Sequence, residues 1–155
     1  MIPNSIANIN AVATWLTILS VPGLTIRDAH NIPEAVQPQD VPLLAPATDE
    51  PFMTGISLKR ISFKDSTNGR RFQCDYQLHY TLFGFAANEG VTLFEKYADM
   101  LDLYSAAITV FAANDTPTNA WDIRPTGTPH FGLITDIAGT PYHGARLILS
   151  VTEFD

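Results

Sequence analysis

The chain has 155 residues, of which 46% are hydrophobic and 16% are charged, and its formal net charge is −7. This composition excludes an intrinsically disordered chain, and the length is sufficient to bury a core in one domain over residues 1–155 without disulfides or a metal. The acidic balance argues against a general nucleic-acid-binding protein, which needs a basic surface to displace counterions from phosphates.

The single cysteine, Cys74, excludes an internal disulfide and is typical of a protein that folds in the cytosol. Its place among alternating apolar residues predicts a buried, inert thiol. The N-terminus lacks the basic region that begins a signal peptide. No apolar run approaches the roughly 18 residues that a membrane span needs, so no membrane partner is expected.

The first predicted element is a helix over about residues 4–20, with Asn4 or Ser5 as its cap. Apolar residues recur along it at spacings of three and four, which places them on one face. They are Ile6, Ile9, Ala13, Leu16 and Leu19. The helix carries no charge at all, which leaves two interpretations: a surface helix that is uncharged by chance, or a helix packed against a neighbouring subunit.

A short strand is predicted at 24–29, and a Pro-rich arm follows over residues 31–51. Five prolines remove backbone donors from the arm, so we expect neither a helix nor a central strand there. Val41, Leu43 and Leu44 are apolar anchors, which indicates an ordered arm that docks on a surface. That surface is either the arm's own domain or another subunit.

A long antiparallel β-hairpin is predicted over residues 52–64 and 70–83. In the second segment apolar and polar residues alternate, which puts them on opposite faces of a long central strand. The connecting segment ends in Asn-Gly, a strong hairpin-turn signal. A change of apolar parity near Lys59 and Arg60 predicts a bulge or a strong twist in the first strand.

The projecting hairpin tip, residues 64–71, concentrates positive charge in an acidic chain. Five of the nine Lys and Arg residues lie in or beside it. The cations either discourage edge pairing at a solvated tip or dock on an acidic neighbour. The candidate interface residues are Lys59, Arg60, Lys64, Asp65, Asn68, Arg70 and Arg71 of the hairpin and Val41, Leu43 and Leu44 of the arm.

A second helix is predicted over residues 91–113. Its apolar stripe runs from Phe94 and Tyr97 to Phe111 at three-four spacing and is expected to pack on the sheet. The outer face carries Glu95, Lys96, Asp99 and Asp102.

Short strands are predicted at 121–124 and 131–137, and a last core strand at 145–152. Because strands come in adjacent runs, the class is α+β with a mostly antiparallel sheet. Both predicted helices are expected to pack on one face of that sheet.

The search for chemistry finds no Gly-rich phosphate loop, no G-x-S-x-G elbow and no H-E-x-x-H motif. His130, Asp136 and His143 would form a metal or ligand site only if the final hairpin brought them into one concave pocket. Structural roles for the three residues are the alternative. We therefore predict no enzymatic activity and no cofactor.

The whole pattern resembles the tail terminator family of long-tailed phages, a group of neck proteins. The resemblance covers nearly the full chain. It rests on the uncharged opening helix, the Pro-rich arm, the hairpin ending in QLHYTLF, the helix EKYADMLDLYSAAI and the closing pattern FGLITDIAGTPYHGARLILSVTEF.

The resemblance implies an assembly protein of the virion, made in the host cytoplasm, whose subunits form a homohexameric ring. Such a ring caps the tail-tube protein and joins it to the head-side connector or stopper protein, with DNA passing through the lumen. Other neck and tail proteins share this plan, so a head-completion or stopper protein and a tail-tube subunit are alternatives. A small ligand-binding or hydrolytic domain is a further alternative.

Overall fold

The structure is a computed structural model, and it describes residues 21, 23–27, 35–60, 72–87, 93–113, 121–126 and 130–154. The described part is a mixed α+β fold with one helix and a mostly antiparallel sheet, as predicted for the class. The predicted helix over residues 4–20 lies outside the described residues, so only one helix is seen on the sheet.

Seven strands and one helix make up the described fold. They are β1 (Thr25–Ile26), β2 (Leu43–Pro46), β3 (Met53–Arg60), β4 (Phe72–Ala86), α1 (Leu93–Ala113), β5 (Trp121–Thr126), β6 (Phe131–Thr135) and β7 (Pro141–Phe154). The long strands β4 and β7 pair antiparallel in the centre. β2 and β3 share the outer edge of β4, while β5 and β6 share the outer edge of β7.

The predicted hairpin is confirmed in its described part, because β3 pairs antiparallel with β4. The register shifts between Thr54 and Ser57, where Gly55 has a φ of 67°. The irregularity was predicted farther along, near Lys59 and Arg60, because the change in apolar parity was used as its signal, whereas the shift lies at the glycine with positive φ.

The expectation of no central strand in the arm is wrong for Leu43–Pro46. This short strand lies between β1, with which it is parallel, and β4. Pro42 precedes this strand and Pro46 is its last residue. Leu43, Leu44 and Ala45 therefore keep the backbone N–H groups that pairing needs.

The main core lies between α1 and one face of the central strands. Alternate residues of β4 and β7 supply its sheet side, and Met100, Ala107 and Phe111 supply its helix side. The fully buried sheet residues include Cys74, Leu78, Tyr80, Leu82, Leu147, Leu149 and Val151. The buried Cys74 thiol confirms its prediction, and each large apolar side chain buried here stabilises the fold by about 1.5–3 kcal/mol.

The face of α1 that contacts the sheet matches the predicted stripe only at its later residues, since Phe111 is buried in the core. Met100 and Ala107 are buried, whereas Phe94 and Tyr97 are 91% and 48% exposed. The sequence pattern is apolar around most of the helix, so spacing alone did not fix which side meets the sheet. In the described part of the chain, no helix is long and apolar enough to cross a membrane.

The paired glycines of β6 and β7 give a test of this packing. A Cβ at Gly144 would overlap the Leu82 carbonyl oxygen and lie 3.0 Å from Ile134 Cδ1, while a Cβ at Gly132 would meet nothing within 4 Å. We expect Gly144→Ala to lower the free energy of unfolding by about 1–3 kcal/mol through overpacking. Gly132→Ala is the matched control, and its free energy of unfolding in urea should be close to that of wild type. Equal effects of the two changes would contradict this packing.

Candidate interaction surfaces

The outer half of β3 is exposed on both of its faces. Every residue from Gly55 to Arg60 is exposed, including Ile56 at 53% and Leu58 at 46%. Among the described strands β3 pairs with β4 alone, so its outer edge presents free backbone groups. We call Ile56, Leu58, Lys59 and Arg60 the cationic strand surface.

The two cations of this surface lack acidic partners in the described part of the chain. By contrast, Lys96 lies 3.7 Å from Asp99, and Arg124 lies 3.0 Å from Asp122. Counting the described residues alone, Lys59 and Arg60 contribute positive charge at this edge that no acid compensates. The other predicted tip residues, Lys64, Asp65, Asn68, Arg70 and Arg71, lie outside the described residues.

A second exposed apolar surface lies where α1 begins. Phe94 is 91% exposed, Tyr97 is 48% exposed, and Leu133 of β6 is 67% exposed. The Tyr97 ring stacks edge-on with Phe131 at a centroid distance of 6.1 Å. Leu133 lies two residues along the same strand and hence on the same face. We call Phe94, Tyr97 and Leu133 the aromatic surface.

The two surfaces lie at opposite ends of β4. Lys59 pairs with Gln73 near its start, while the aromatic surface adjoins Phe85 near its end, where Lys96 Nζ lies 5.0 Å from the Phe85 ring centroid. Twelve residues of strand separate those positions, or about 40 Å at roughly 3.3 Å per residue.

The arm residues proposed as interface anchors are placed differently by the structure. Leu43 and Leu44 are 2% and 1% exposed and belong to the chain's own core, and Val41 packs beside them. For this stretch, docking on the arm's own domain is the arrangement seen. Leu43 and Leu44 therefore offer no surface to another subunit.

The arm is fixed at Val36 by hydrogen bonds to both of its backbone groups. Asp136 Oδ2 accepts from the Val36 amide at 2.9 Å, and the Tyr142 hydroxyl donates to the Val36 carbonyl at 2.5 Å. Asp136 also accepts from the amides of Ala138 and Thr140, which closes the turn between β6 and β7. Burial raises the pKa of the Tyr142 phenol, so it stays a donor at neutral pH.

The proposed convergence of His130, Asp136 and His143 does not occur. The whole of β6 separates His130 from Asp136, a distance of about 20 Å along a strand. His143 is buried within β7, and no three His, Cys, Asp or Glu side chains among the described residues are placed to hold a metal ion. Asp136 serves the arm and the turn instead.

A polar network on the sheet face opposite α1 was missed by the sequence reasoning. Thr54 Oγ1 lies 2.6 Å from His79 Nε2, and Glu50 Oε1 lies 3.4 Å from His79 Nδ1. Arg146 Nη1 lies 3.3 Å from Glu50 and 2.7 Å from Asp49, and this pairing lowers the pKa of Asp49.

The hydroxyl, imidazole and carboxylate of this network follow the order of a nucleophilic triad. However, the Glu50 carboxylate is shared with Arg146. The nearby groove of about 170 Å³ is lined by His130, Phe131, Gly132, Leu133, Ile134 and Arg146. Neither Thr54 nor His79 lines that groove, and the network links Asp49 and Glu50, in the segment between β2 and β3, to His79 and Arg146 of the sheet.

Glu153 is a buried carboxyl group at the end of β7. It is 1% exposed, lies opposite Cys74 and faces the core beside Tyr76. Burial raises the pKa of Glu153 to about 7, and the Tyr76 hydroxyl offsets part of that rise. Among the described residues, neither carboxyl oxygen has a hydrogen-bond partner of good geometry. Glu153 continues the alternate positions of Leu149 and Val151, so the sequence pattern contained a signal that its side chain faces inward.

The hydrogen bond from Tyr142 to Val36 is expected to stabilise the arm. Tyr142→Phe keeps the ring but leaves the buried Val36 carbonyl without its donor, which costs about 1–3 kcal/mol. We expect a lower free energy of unfolding and faster amide hydrogen exchange over residues 35–47. Tyr97→Phe, at an exposed ring, is the control, and unchanged exchange in the arm of Tyr142→Phe would refute the contact.

Glu153 gives a pH prediction. Its pKa is higher in the folded protein than the ordinary value of 4.5, so the folded state holds the proton more tightly. The stabilisation is fully present below about pH 4.5 and is lost as pH rises through about 7, a change on the order of 3 kcal/mol at 1.36 kcal/mol per pKa unit. Glu153→Gln should therefore gain stability over wild type between pH 5 and pH 8 in urea unfolding, and a pH-independent difference would contradict this.

Similarity to known proteins gives no family assignment. No protein-family model matches the chain, and no curated protein sequence matches it significantly.

Proposed function

We propose that this chain is a structural protein of a phage neck, a tail terminator whose subunits form a ring. The ring caps the tail tube and joins it to the head-side connector, and DNA passes through its lumen. The sequence resemblance suggests the role, and the α+β fold with a long central hairpin is compatible with it.

The observation that carries the proposal is the exposure of large apolar side chains at two separated places. Phe94 is 91% exposed and Leu133 is 67% exposed at one end, while Ile56 is 53% exposed at the other. Exposed apolar patches bordered by polar groups are typical of protein–protein interfaces. A subunit with neighbours on two sides would cover both.

The acidic composition suits a conduit for DNA. A ring of subunits with a net charge of −7 each is strongly acidic, and an acidic protein repels phosphate and so disfavours lasting adhesion of DNA. Several titratable groups of the described residues have structural places in the fold. Asp136 holds the arm, Arg146 pairs with Asp49 and Glu50, and Glu153 is sealed in the core.

The first test is the native mass of the protein across a range of concentrations, measured by light scattering with and without tail-tube protein of the same phage. We expect a discrete ring, a hexamer, whose subunits come apart on dilution. A chain that stays monomeric at all concentrations, also with tube protein present, would overturn the proposal.

A second test separates a terminator from a stopper or a tube subunit. Antibody labelling of virions in electron micrographs should mark a single position between head and tail. Label along the whole tail would indicate a tube subunit instead, and label on isolated heads would indicate a head-completion protein.

A further inference from the structure

We infer that the cationic strand surface of one copy binds the aromatic surface of a second copy, head to tail. The inference rests on the proposed ring and names the contacts that would build it. Its occupant is a second copy of this chain, and the argument comes from charge, from apolar chemistry and from the positions of the two surfaces.

The chemistry of the two surfaces is complementary. The cationic strand surface combines two aliphatic side chains with Lys59 and Arg60, which lack acidic partners among the described residues. The aromatic surface has two exposed rings, and the adjoining outer face of α1 carries the exposed acids Asp99 and Asp102, of which Asp99 also lies 3.7 Å from Lys96. Aliphatic groups pack on rings, and cations bind both carboxylates and ring faces.

The charge of the whole chain favours a second copy of the chain as the binding partner of the cationic strand surface. Copies with a net charge of −7 repel one another, and repulsion is strongest at low salt. Lys59 and Arg60 locally reverse that repulsion at the edge of the sheet. An acidic helix with exposed rings is the surface on this same molecule that such an edge would attract.

Geometry then sets the kind of assembly. Lys59 lies about 40 Å along β4 from Phe85, beside which the aromatic surface lies, so Lys59 and Arg60 cannot reach the aromatic surface of their own molecule. Two different patches in contact make a heterologous interface, which repeats from copy to copy and closes into a ring when the rotation permits. The same contact would therefore serve every subunit of the proposed ring.

Charge reversal on each surface tests the contact. The strand variant carries Lys59→Glu and Arg60→Glu, and the helix variant carries Asp99→Lys and Asp102→Lys. In each variant alone, every head-to-tail contact places like charges together. We expect the concentration at half assembly, measured by light scattering, to rise about tenfold or more for each, because like charges at an interface disfavour association.

Mixing the two variants makes the test specific. In an alternating ring, the glutamates introduced on the strand of one variant face the lysines introduced on the helix of the other, and the remaining contacts are of wild-type type. An equimolar mixture should therefore assemble close to the wild-type concentration. Arg124→Glu, which reverses an exposed cation on β5 away from both surfaces, should assemble like wild type.

The outcomes separate this inference from the proposed function. If wild type forms rings and the two variants do so equally well, the surfaces are wrong and the ring proposal stands. If folded variants fail to assemble both alone and when mixed, the pairing is also wrong. If wild type never assembles, the ring proposal fails and the inference fails with it.

Discussion

The pairing of β4 with β7 is the interaction on which the rest of the fold depends. It runs antiparallel from Gln73 opposite Phe154 to Ala86 opposite Tyr142, with one irregularity between Phe83 and Phe85. Each other described strand except β1 joins one of these two strands directly. Because side chains alternate between faces, this one pair fixes which residues meet α1 and which lie on the opposite face.

The length of that pair also separates the two exposed surfaces. A short sheet would place its cationic edge beside the acidic helix, where the two would neutralise each other within one chain. Here Lys59 lies about 40 Å along β4 from Phe85, at roughly 3.3 Å per residue. At the Ala86 end of β4, Asp136 and Tyr142 fix the arm to the turn between β6 and β7.

Sequence reasoning predicted the elements that local alternation determines and missed those that depend on tertiary packing. The alternation of apolar and polar residues through Cys74 and Leu78 was sufficient to predict the central strand. The three-four spacing of apolar residues in 91–113 was sufficient to predict the helix. The strand at Leu43–Pro46 was missed, because prolines were taken to exclude pairing across the whole arm. Phe94 was assigned to the core, because the sequence pattern of an apolar residue at a helix end is the same whether the residue faces the sheet or a neighbouring molecule.

Closed, head-to-tail self-association is the central claim, and images of the assembled wild-type protein test it most directly. Class averages from cryo-electron microscopy should show closed rings with a central lumen and one contact repeated around the ring. Two-fold dimers, open filaments or monomers at concentrations where tail tubes are capped would contradict the claim.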